Sequence, residues 1–161
     1  MKLRGPLLTH WRAAAADEGG TSAVEFALIA PMITSLLFGI LALGVVLNNY
    51  AELANGTRAS ARQLALSRGL SSPYTLITSP STSSGVFQYA APNLTMSGPN
   101  AVTLVIAVNG QTCTDDSTCA ADLVTAQGQP VTVTAVYGCN LGVPALNKGC
   151  QFSATTQEIV E

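Results

Sequence analysis

The chain has 161 residues, room for one modest domain, and only 10% of them are charged, for a formal net charge of −2. That balance excludes a nucleic-acid binder held by phosphate contacts. His10 is the only histidine, so acid–base or nucleophilic catalysis has little to draw on.

Residues 1–20 read as a short cytoplasmic leader, with Lys2, Arg4 and Arg12 against Asp17 and Glu18. Gly5-Pro6 breaks structure early. The stretch is not a secretory signal peptide. The apolar run after it is longer than the roughly 7–15 residues of such a signal, and the small-residue sequence Ala59-Ser60-Ala61 comes too late for its cleavage site.

Residues 26–47 carry no charge. As a helix they are about 33 Å long, enough to cross a hydrocarbon core of about 30 Å. Thr21 or Ser22 is expected to cap this helix, with Glu25 as the capping-box partner of Ser22 and complement to the helix dipole. A carboxylate at the edge of a span is costly unless capped or paired, so a second account stays open: an adjacent subunit supplies a positive charge. Pro31 removes one backbone hydrogen bond inside the span. Ser35, Gly39 and Gly44 offer a small-residue face to another helix.

The helix is expected to run on through residue 68, about 70 Å in all. Tyr50, Leu53, Thr57, Ala61 and Leu64 recur at three- and four-residue spacing and form a narrow stripe for packing on the chain's own domain, with Glu52, Arg58, Arg62 and Arg68 off it. Gly69 reads as the C-terminal cap. Residues 70–100, rich in Ser, Thr, Pro and Gly, predict an irregular loop with a short strand near 86–89.

The last third turns β. Residues 102–108, 131–137 and 151–160 read as strands, Asn109-Gly110 as a turn, and residues 118–127 as a short helix. The expected fold is α+β: a long N-terminal transmembrane helix continuing outward, then a small disulfide-stapled antiparallel head of about three strands with a short helix. The expected divisions are 1–20, 21–69 and 70–161.

All four cysteines, Cys113, Cys119, Cys139 and Cys150, lie after the span, which fits an oxidising compartment. Their spacings match neither a zinc ribbon nor a CxxC redox pair. Four cysteines allow three pairings; closeness favours Cys113–Cys119 with Cys139–Cys150. Lys and Arg flank the span on both sides, so the positive-inside rule does not orient it. The cysteines and the acidic region after residue 70 place the N-terminus in the cytoplasm and the head outside. His10 is then on the opposite side of the membrane from the head. Asp115, Asp116 and Asp122 lack the spacing and glycine of a calcium loop and read as a solvated acidic surface. No phosphate loop or paired-carboxylate cleft is visible. No metal, cofactor, nucleic acid or small-molecule substrate is expected, and the chain reads as non-enzymatic.

Gly20-Thr21-Ser22-Ala23-Val24-Glu25-Phe26 resembles the processing site of type IV-type pilins, above all the Flp/Tad class. Ser22 to Pro31, the apolar run, and Arg58-Ala59-Ser60-Ala61-Arg62-Gln63 resemble a TadE-like domain. The resemblance implies a minor pilin or pseudopilin of the inner membrane, partnered by prepilin peptidase, other pilin subunits and Tad assembly proteins, with an extracellular pilus as its place after assembly. It implies cleavage between Gly20 and Thr21, and an assembly role for Glu25 and Phe26 as the fifth and sixth mature residues. Asp17 and Glu18 stand where the family has basic residues before the cut. The alternative is a permanently anchored periplasmic binding module that never enters a filament.

Overall fold

The structure, a computed structural model, describes residues 19–81, 83–98, 100–138 and 150–161. Most of the leader and Cys139 lie outside the described residues. The chain forms two compact units, Met1–Leu41 and Ala42–Glu161.

Helix α1 is Gly19–Ala65. Its start corrects the capping expectation. A cap residue needs non-helical backbone, yet the chain is already helical at Gly19, so Ser22 and Glu25 lie inside the helix rather than at its mouth. Its end falls three residues before Arg68. Beyond it the chain tightens into two turns, Ser67 N–H to Leu64 O and Leu70 N–H to Ser67 O, each 3.0 Å. Gly69, at φ +85°, serves the second turn rather than the helix terminus.

In the second unit the stripe on α1 is the spine of the core. Leu53, Thr57, Ala61 and Leu64 are fully buried. Tyr50 is half exposed and sets its ring edge-on to Phe152, centroids 6.1 Å apart. Arg58, Arg62 and Arg68, off the stripe, are exposed.

Residues 70–100 are not an irregular loop. They hold two short helices, α2 (Pro73–Thr78) and α3 (Val86–Ala90). Pro73 opens α2, where its fixed φ suits a first turn. The Val-Phe-Gln-Tyr run has strand-like propensity, but tertiary packing overrides it. As a helix it buries Phe87 and Gln88, and the Gln88 amide donates to Leu94 O at 2.6 Å.

Among the described residues the head sheet has four strands, against the expected about three: β1 (Thr103–Val108), β2 (Gln111–Cys113), β3 (Pro130–Gly138) and β4 (Gln151–Ile159), in the order β2-β1-β3-β4, every pair antiparallel. The extra strand follows from Asn109-Gly110. Both residues have positive φ, 48° and 81°, the geometry of a two-residue hairpin turn, so the chain folds straight back and pairs Val108 with Gln111. Helix α4 is Asp116–Thr125. Asp115 caps it, accepting from Thr118 N–H at 2.8 Å.

Alternation decides which sheet face is buried. Ile106, Val108, Val131, Val133, Ala135 and Ala154 point into the core. They meet α1 in two adjoining clusters, one around Ala61, Leu64, Ile77 and Leu123, the other around Leu53, Phe87 and Leu94.

Candidate functional site

In the first unit the apolar side chains of α1 point outward all round the helix. Phe26, Met32 and Phe38 are 70%, 73% and 71% exposed, and Ala30 alone among residues 22–41 is half-buried. A helix apolar on every side does not belong in water; it belongs in lipid or among other helices. α1 is long and apolar enough to cross a membrane, and one such span near the N-terminus fits a single-pass membrane protein. The two hydroxyls in the middle of this stretch are satisfied within the helix. Thr34 Oγ1 donates to Ala30 O at 2.9 Å and Ser35 Oγ to Met32 O at 2.8 Å, so neither carries an unmet polar group into an apolar medium.

Glu25 is the one charged residue between positions 19 and 51, and it makes no hydrogen bond or ion pair among the described residues. It lies on α1 beside Phe26, one helical turn beyond Gly20 and Thr21, whose backbone is helical. These four expected site residues are therefore consecutive features of one helix end.

The head holds the other expected set. Cys113 and Cys119 form a disulfide joining β2 to α4. Cys150 is disulfide-bonded as well, and its expected partner Cys139 lies outside the described residues. Asp115 and Asp116 have structural work. Hydrogen bonds from Ser117 and Thr118 hold the Asp115 carboxyl below its ordinary pKa. Asp116 accepts from Thr75 Oγ1 and, at 2.8 Å, from Thr75 N–H, which ties α2 to α4 and lowers its pKa likewise. Among the described residues no three His, Cys, Asp or Glu side chains converge to hold a metal ion.

Two positioning residues were not foreseen. Glu52 accepts from Asn93 N–H at 3.1 Å, from the Asn93 amide, and from Asn48 Nδ2 at 3.1 Å, clamping the turn after α3 onto α1. Gly56 lies under the ring of Phe87. Gly56 had a visible signal, a lone glycine within a helical stripe. Glu52 and Asn93 are 41 positions apart, and nothing local links them.

Residues 20–62 match the family model described as TadE-like protein. The chain carries a TadE-like segment. The match opens at Gly20, takes in Glu25, Phe26 and the whole exposed apolar stretch, and ends within the stripe that the head buries. No match was found among curated proteins or among solved structures. The TadE-like segment associates the chain with pilus assembly of the Tad type, and its apolar helix with a membrane.

Proposed function

We propose that this TadE-like chain is a minor pilin or pseudopilin of a Tad-type pilus, a structural subunit with no catalysis of its own. The observation that supports this best is Glu25: a carboxylate with no partner among the described residues and the one charge in the exposed apolar stretch of α1, just after Gly20-Thr21 and inside the matched segment. The chain sits in the inner membrane with its head in the periplasm. Prepilin peptidase cuts after Gly20 and leaves Thr21 as the new N-terminus. The α-amino group of one subunit then pairs with Glu25 of the next. In a low-dielectric bundle such a pair is strong, and leaving either charge alone is costly, so it selects one axial register as helices pack. Phe26 and its apolar neighbours supply the contact between helices, and the Tad assembly proteins move the subunit into the filament.

Intact-mass measurement of the chain purified from membranes tests the first step, with a mature protein starting at Thr21 as the expected result. A full-length leader on protein recovered from assembled pili would overturn it. Glu25→Ala tests the second. The variant should insert into the membrane at wild-type level while assembled pili fall at least tenfold, and wild-type pilus numbers would sink the pairing.

A further inference from the structure

β4 is an unusually open sheet edge. It pairs residue for residue with β3 over nine positions, with no bulge, and contains no proline, lysine or arginine, only Glu158 as a charge. Those are the devices that normally keep an edge from recruiting another strand. The bond pattern shows which groups are free. Asn109 N–H donates to Pro130 O and Val160 N–H to Gln129 O. Since bonded and non-bonded pairs alternate in an antiparallel ladder, Val131, Val133 and Ala135 use their backbone groups toward β4. Ser153, Thr155 and Gln157 therefore turn theirs outward, and no outward bond forms among the described residues.

The opposite edge is equally open. Val108 and Gln111 flank the two-residue turn and exchange both hydrogen bonds, so Thr112 turns its N–H and C=O away from β1. No charge lies in β2.

Strand direction selects the partner. Within the head, Tyr50 meets Phe152, Thr57 Oγ1 accepts from Thr156 at 3.3 Å, and Ala65 O accepts from Glu161 N–H at 3.3 Å. Residues 50–65 of α1 thus run the same way as β4. Three antiparallel steps make β2 run the opposite way. Two copies placed side by side without rotation, their helices parallel, bring β4 of one against β2 of the other as an antiparallel ladder. Side chains of Thr112, Thr155 and Gln157 then stay on one sheet face. A β4–β4 contact fails this test. The antiparallel form reverses one helix, and the parallel form sets Glu158 beside Glu158.

We propose that the heads of two copies of this chain join edge to edge, Thr112 of one pairing through its backbone with the Ser153–Gln157 edge of the other. The contact is open-ended and so can propagate. Three residues of β2 allow only a few hydrogen bonds, so the ladder forms where copies share a membrane or filament and their effective concentration is high. The inference rests on the pilin reading only in needing parallel neighbours.

The test is a photo-crosslinking amino acid at Thr155 in the full-length chain, reconstituted in phosphatidylethanolamine/phosphatidylglycerol vesicles, with mass-spectrometric mapping of the product. The expected product joins position 155 to residues 110–114 of a second copy. Its yield should fall at least fivefold in Thr112→Pro, which removes the outward N–H, and hold in Thr112→Ala. A 155–155 product, no product at high packing density, or an equal loss in both variants would overturn it, as would exclusive capture of another protein in cells. Vesicles need neither processing nor pili, so a crosslink without pilus incorporation in cells would refute the pilin reading and leave the ladder standing.

Discussion

The ring of Phe87 occupies the space that a side chain on Gly56 would need. A Cβ built on Gly56 stands 2.7 Å from the nearest ring carbon, and Phe87 is fully buried with nowhere to retreat. Gly56→Ala gains about 1 kcal/mol in helix propensity and loses roughly 1–3 kcal/mol by overpacking. The expected outcome is net destabilisation, read as a lower unfolding midpoint of the full chain in detergent. Adding Phe87→Leu should cost less in the Gly56→Ala background than alone; equal costs in both backgrounds would refute the contact.

Ser60 makes the opposite prediction. Its hydroxyl oxygen is fully buried with no hydrogen-bond partner among the described residues. A polar group in that state has lost its water and gained nothing. Ser60→Ala should raise stability by about 1 kcal/mol, measured by denaturant titration; a destabilised variant would mean that the hydroxyl has a partner.

Asp116 joins α2 to α4 through Thr75 and has its pKa lowered by those bonds. The sign of the pH effect follows. A carboxyl with a depressed folded-state pKa stabilises fully above its ordinary value of about 4 and loses that contribution as pH falls through the lowered value. Wild type should therefore melt above Asp116→Ala at pH 6, and the gap should close progressively below about pH 4. A gap independent of pH would remove the ionised carboxylate from the account.

The Cys113–Cys119 bridge closes a loop with a sequence separation of 6. On the chain-entropy model a loop that short contributes about 2 kcal/mol. Replacing both cysteines by serine should lower stability by that order. It should also expose residues 111–125 to protease before the rest of the head opens, as limited proteolysis with peptide mapping would reveal.

What local chemistry governs was legible from the residues alone. The Val131-Thr132-Val133-Thr134 alternation, the Asn109-Gly110 turn and the stripe from Leu53 to Leu64 each state a period or a backbone requirement within a few positions. The resemblance around Glu25 was likewise contiguous. What escaped depends on distant partners. Val86 to Ala90 is helical because Phe87 finds Gly56 thirty-one positions earlier, and α2 is held by Asp116 forty-one positions later. β2 is too short for any periodicity and exists because a turn delivers it to β1.

The stripe on α1 is covered by β3, by β4 and by Val160, about a hundred residues downstream. During synthesis the helix reaches the membrane long before its covering exists, so Leu53, Thr57, Ala61 and Leu64 stay bare until β4 emerges. Contacts of such long range form slowly, and an uncovered stripe is open to chaperones and proteases meanwhile. The cover of the stripe is therefore the last part of the head to be made: a chain that stops short of β4 leaves Leu53, Ala61 and Leu64 without the residues that bury them.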